Sequence, residues 1–88
     1  MHIAVVVDAD LPVQTIVNAV QQANISLLQE IQLFDVYQGK GIAENKKSLA
    51  FLVLMQDTHK TLLDTEAEAV IAKLLQLLQN NFGASLRN

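Results

Sequence analysis

Lys40, Lys46 and Lys47 fall within eight consecutive residues and supply half of the chain's six lysine and arginine side chains. They occupy the polar middle of FDVYQGKGIAENKKSLAF (Phe34–Phe51), between two apolar, strand-like ends. Ammonium groups gathered in this way can neutralise phosphates, or they can simply solvate a hairpin tip. The remaining candidates are sparser. His2 and His59 are isolated, with no HxxH or HExxH spacing to make a metal pair or a base with a partner. Asp8 and Asp10 could form a carboxylate pair, or could cap a helix without any chemistry. Gly39-Lys40-Gly41 is shorter than the GxxxxGK[ST] loop that cradles phosphates. No serine has a base in a motif position. The residue types therefore point to binding rather than to bond-making, and no catalytic residue and no metal site are expected.

The chain has 88 residues, 51% of them apolar, and a formal net charge of −3. This length accommodates one domain, over residues 1–88, with a modest core. There is no cysteine, so disulfides and thiolate metal sites are excluded. No apolar run approaches the roughly 18–20 residues that cross a bilayer as a helix. The opening MHIAVVVDAD lacks the positive start of a signal peptide, and acids interrupt its apolar run. An excess of acid argues against generic nucleic-acid binding, so neither DNA nor a membrane is an expected partner. RNA binding would need a local patch, and the lysine cluster is the candidate.

The elements that must position these residues follow from hydrophobic spacing. Ile3–Val7 is a β-branched run that reads as a central strand buried on both faces. Asp10 is a cap candidate ahead of Pro12 in a first helical turn. Val13, Ile16, Val17 and Val20 share a helix face, and Ala23-Asn24 ends that helix. A second strand lies within Leu28–Gln38, where Ile31, Leu33, Phe34, Val36 and Tyr37 do not alternate cleanly, as at a bulge. Gln38–Lys47 reads as a loop turned by Gly39 and Gly41, and Ser48–Gln56 as a third strand. Asp57–Lys60 is a polar turn. Asp64 or Thr65 caps a second helix, with Thr65 and Glu68 at capping-box spacing. Its stripe is Val70, Ile71, Leu74, Leu78 and Phe82, widened by Leu75 and Leu77, and Gly83 stops it. Ala84–Arg87 is left for a last strand. The order predicts a ferredoxin-like α+β fold, βαββαβ, with a four-stranded antiparallel sheet and both helices on one face.

That plan hosts many functions. The RNA-recognition motif uses it with stacking aromatics on its central strands. Here the first strand offers only aliphatic residues, and the RNP signature is absent. Phe34, Phe51 and Tyr37 can be read either as core and strand-pairing residues or as surfaces for bases.

Two long stretches carry a specific resemblance. LFDVYQGKGIAENKKSLAFLVLMQD (Leu33–Asp57) and TLLDTEAEAVIAKLLQLLQNNFGASLR (Thr61–Arg87) resemble the ferredoxin-fold anticodon-binding domain. That domain ends the β subunit of bacterial phenylalanyl-tRNA synthetase. The family pattern runs approximately F-D-x-Y-x-G, then G-K-K-S-L-A-F, then D-x-E at a helix start and F-G-A-x-L-R at its end. IAVVVDADLP resembles the family's first strand, so the likeness covers essentially the whole chain. Ala43 and Asn45 stand where the family has proline and glycine. Leu63 replaces the threonine before the helix aspartate. The family's aromatic-proline, arginine-rich segment before the first strand is missing ahead of Met1, which implies a domain excised from a larger β chain.

The resemblance implies a cytoplasmic α2β2 ligase as parent, joining phenylalanine to its tRNA with ATP and Mg2+. It implies no cofactor in this domain, because the active site lies on the α subunit. The implied partners are the tRNA anticodon stem-loop and the remainder of the β and α subunits. Lys40, Lys46, Lys47 and Arg87 would meet phosphates or bases, and Asp35, Tyr37 and Ser48 would read or stack on bases. The ammonium groups of Lys46 and Lys47 are both expected in water. The rival reading is a small-molecule regulatory or protein-interaction module on the same fold, which the wide Leu75/Leu77 stripe would suit.

Overall fold

A computed structural model describes residues 1–56 and 62–87. The expected turn at Asp57–Lys60, with His59, and the motif's Thr61 lie outside the described residues. Strand β1 (His2–Asp8), helix α1 (Val13–Ala23), strands β2 (Leu28–Tyr37) and β3 (Lys46–Met55), helix α2 (Asp64–Phe82) and strand β4 (Ser85–Leu86) follow the βαββαβ order. The sheet runs β2-β3-β1-β4, and all pairings are antiparallel. Each helix thus connects strands separated by one intervening strand, which is the ferredoxin-like arrangement.

Alternation decides which face is buried. Ile3, Val5 and Val7 on β1, and Leu49, Phe51 and Val53 on β3, point into one core with Ile16 and Val20 of α1 and Leu74 and Leu78 of α2. Both helices therefore cover the same face of the sheet. Among the described residues, no layer covers the opposite face. β1 is central as expected, but it is buried on one face only, and Ala4 and Val6 are half-exposed. Leu75 and Leu77 are also spent inside the molecule, packed against this core. The wide stripe thus needs no second protein to explain it.

Several boundaries differ from the sequence reading, each for a local reason. Asp10 does not cap α1. The N-cap is Pro12 with an extended backbone and no side-chain hydrogen bond, because the Asp8 carbonyl accepts from Leu11 N–H at 3.1 Å and spaces the helix away from the strand. α2 is capped neither by Asp64 nor by Thr65. Its N-cap is Leu63, whose N–H donates to Glu66 Oε1 at 3.0 Å. Leucine offers no acceptor, so only the returning half of a capping box is made. Gly83 closes the helix in the left-handed region at φ 63°, as its position after Phe82 suggested. The uneven pattern of β2 is a genuine irregularity, with register shifts at Leu28/Glu30 and Leu33/Asp35. Finally, Lys46 and Lys47 belong to β3 rather than to the loop, since they pair with Asp8 and Val7 of β1.

Candidate nucleic-acid interface

The uncovered sheet face collects the side chains that alternate away from the core. From β3 these are Lys46, Ser48 and Ala50, and from β1 they are Ala4, Val6 and Asp8. Tyr37 of β2 sits directly opposite Ser48, and Asp35 opposite Ala50. The register shift between Leu33 and Asp35 also turns Phe34 onto this face. There its ring meets His2 edge-on, with centroids 5.0 Å apart and planes at 75°. Phe34 is 57% exposed, so it serves neither the core nor strand pairing, whereas Phe51 is fully buried.

Arg87 ties the two edges of the sheet together. Its N–H donates to the Ala4 carbonyl at 2.9 Å, extending the β4–β1 ladder by one residue. From that edge its side chain reaches past β1 to residues of β3 and β2. The guanidinium donates to Ser48 Oγ at 3.3 Å and reaches over the Tyr37 ring, 4.9 Å from its centroid. Ser48 is the buried polar side chain among the described residues, and this contact satisfies it.

The loop between β2 and β3 is anchored at the same place. Tyr37 donates its hydroxyl proton to the Lys40 carbonyl at 2.8 Å. Ile42 N–H donates to the Gly39 carbonyl at 3.0 Å, and Lys46 N–H to the Ala43 carbonyl at 2.9 Å. The loop therefore makes ordered turns with Ala43 and Asn45 in place of the family's proline and glycine. It holds the exposed Lys40 at the rim of the open face.

The three lysines do not act as one cluster. Lys46 is on the open face, but its ammonium is not simply in water: it is ion-paired with Asp8 Oδ1 at 2.6 Å. Asp8 thus turns out to be neither a helix cap nor half of a carboxylate pair. Lys47 pairs with Val7 and points to the helix side of the sheet. Of the residues expected to contact RNA, the structure gathers Asp35, Tyr37, Ser48, Arg87 and Lys46 on one face, puts Lys40 at its rim, and separates Lys47. His2 and Asp8 join that face without a sequence signal for it, and Phe34 joins it in line with the surface alternative that its sequence reading left open. Only the antiparallel register of β1 on β3 could have brought Asp8 to Lys46.

A flat ring and a guanidinium offer surfaces on which unpaired bases stack, while a carboxylate and a hydroxyl can hydrogen-bond to base edges. Cations at the margin can meet phosphates. Among the described residues no group of three or more His, Asp or Glu side chains is placed to hold a metal, and no helix is long and apolar enough to cross a membrane.

Comparison with known proteins agrees with this arrangement. Residues 1–87 match the family described as the ferredoxin-fold anticodon binding domain. The chain is 54% identical over 86 residues to the phenylalanine–tRNA ligase beta subunit of Nitrosospira multiformis, covering 98% of this chain and 11% of that protein. It is 48% identical over 85 residues to the same subunit of Dechloromonas aromatica, covering 97% and 11%. For the Idiomarina loihiensis subunit the identity is 41% over 86 residues, covering 98% and 11%. The chain thus spans about 11% of the length of the curated relatives it matches. By this match over nearly its whole length, the chain belongs to the ferredoxin-fold anticodon binding domain family.

Proposed function

We propose that the chain is the anticodon-binding domain of a phenylalanine–tRNA ligase β subunit and that its open sheet face grips the anticodon stem-loop of the tRNA. The observation that carries this reading is the line formed by Arg87, Ser48 and Tyr37 across an uncovered face. Tyr37 and Arg87 supply stacking surfaces for splayed bases. Asp35 supplies acceptors beside them, Ser48 holds the Arg87 guanidinium in place from beneath, and Lys40 and Lys46 supply charge for the backbone, with Lys47 on the far side of the sheet. The domain itself performs no chemistry. Aminoacylation, with its ATP and Mg2+, belongs to the rest of a cytoplasmic α2β2 enzyme, to which this domain reports the identity of the bound tRNA.

The test is a fluorescence-anisotropy titration of the chain with the anticodon stem-loop of tRNA for phenylalanine, beginning at low salt. A stem-loop of the same length with a changed anticodon serves as the comparison. The cognate loop should bind more tightly, and both affinities should fall as salt rises. Equal affinity for the two loops would overturn the reading of this face as an anticodon reader. Binding that ignores salt would point instead to apolar docking.

A further inference from the structure

Asp8 and Lys46 stand directly opposite each other in the β1–β3 register, on the open face and at the end of the sheet nearest the loop. Their side chains are 58% and 35% exposed, and the pair is 2.6 Å apart. Both backbones are fixed. The Asn45 carbonyl accepts from Ala9 N–H at 2.9 Å, the Asp8 carbonyl accepts from Leu11 N–H at 3.1 Å, and Lys46 N–H donates to the Ala43 carbonyl. The two backbones therefore hold the carboxylate and the ammonium within reach of each other. A cation that already has a counterion is worth less to an incoming phosphate, because the phosphate must replace that partner. A solvent-exposed pair is weak enough for the replacement to occur.

We propose that Asp8 is the built-in counterion of Lys46, holding its ammonium over the end of the open face and yielding it to a phosphate of the bound RNA. Asp8 thereby moderates affinity without touching a base. This rests on the RNA-binding reading of the open face but not on its preference for an anticodon, since phosphate exchange is indifferent to sequence. Asp10 gives an internal control. It carries the same charge two residues away, is exposed, and makes no ion pair among the described residues.

The experiment compares Asp8→Asn, Asp10→Asn, Lys46→Ala and the Asp8→Asn/Lys46→Ala double variant, after thermal melts establish that each is folded. Each is titrated with the anticodon stem-loop and with an oligouridylate of equal length at several salt concentrations. Asp8→Asn should tighten binding of both RNAs by about 1.5- to fivefold, the range expected for freeing one member of an exposed pair. It should change the salt slope by clearly less than the roughly 0.7 of a whole phosphate contact, because Lys46 meets the phosphate with or without Asp8. Asp10→Asn should do less, and Asp8→Asn should do nothing more in the Lys46→Ala background. An equal gain with and without Lys46 overturns the proposal, because the effect would then be general charge removal. Weaker binding by Asp8→Asn overturns it as well, and so does failure to bind either RNA at low salt. Coupling between Asp8 and Lys46 on both RNAs, with no preference for the stem-loop, would sustain this inference while sinking the anticodon reading.

Discussion

The guanidinium of Arg87 lies 4.9 Å from the centroid of the Tyr37 ring, although the two residues come from opposite edges of the sheet. This contact joins the charged and aromatic parts of the open face into one surface. It is an exposed cation–π pair, a geometry that contributes on the order of 0.5–1 kcal/mol. Its larger consequence is orientation, because the guanidinium also holds Ser48 and so fixes the plane against which a base would stack.

Tyr37→Ala should therefore weaken anticodon stem-loop binding by about 1–3 kcal/mol, the range for loss of one base-stacking aromatic. The salt slope should stay unchanged, because the ring carries no charge. Arg87→Lys keeps the charge but loses the flat, forked donor, so it should preserve the slope while reducing discrimination between anticodons. Anisotropy titrations over a salt series, with two loop sequences, separate these outcomes. A slope that falls in Tyr37→Ala would mean that the loop anchored by its hydroxyl, not the ring, carries the effect.

The Tyr37 hydroxyl also meets Gly39. A methyl group added at Gly39 would lie 3.2 Å from that oxygen, and the residue's φ of 150° is one that side chains rarely adopt. Gly39→Ala should cost about 1 kcal/mol or more of stability. In a Tyr37→Phe background the steric part disappears and the backbone part remains, so the cost should shrink without vanishing. Urea denaturation of the four variants in this cycle measures the difference. An equal cost in both backgrounds would show that the hydroxyl contact contributes nothing.

Leu74 has no exposed surface, and Val70, one turn earlier, is 2% exposed. Leu74→Ala should destabilise the fold by about 2–5 kcal/mol, and Val70→Ala by less. The leucine's loss comes from the removed methyl groups and from the cavity left between α2 and the sheet, the valine's from the smaller buried group removed. Thermal melts check this, and an unchanged transition in Leu74→Ala would show that the helix stripe is not packed on the sheet.

The features legible in the sequence are those set by local spacing. Alternation of Ile3, Val5 and Val7, and the stripe of Val70, Leu74 and Leu78, are enough to place strands and helices around one core. The uneven run from Ile31 to Tyr37 announces a bulge, though not which residue it would turn outward. Helix starts were less legible, because Pro12 and Leu63 hold cap positions without a capping side chain. A reading based on acidic and hydroxyl caps therefore looks in the wrong place. The candidate site was legible as a set of residue types but not as a surface. Whether two adjacent lysines share a face depends on whether they lie in a loop or a strand, and that depends on how far β3 extends along β1. The partner of Lys46 lies 38 positions away in sequence and becomes visible only when the β1–β3 register is known.

Adjacent lysines in a strand point in opposite directions, and this makes Lys46 and Lys47 separable. Lys46 faces the same side as Tyr37, Ser48 and Arg87, whereas Lys47 faces the side on which the helices lie. If RNA lies on the open face, Lys46→Ala should lower the salt slope by about 0.7 for single-stranded RNA, the contribution of one phosphate contact. It should also leave the Asp8 carboxylate without its cation on the face the RNA approaches, so affinity should fall further than the slope alone implies. Lys47→Ala should change the slope by clearly less, since a backbone crossing the open face would have to bend around the edge of the sheet to reach it. Neither change should unfold the domain, because both ammonium groups lie outside the core. Single and double variants titrated with the stem-loop by fluorescence anisotropy across a salt series give the slopes directly. Equal slope losses from the two single variants would mean that the RNA wraps the end of the β2–β3 hairpin and touches both of its faces. No change in either would leave the lysines as solvated bystanders and transfer the electrostatic role to Lys40 and Arg87.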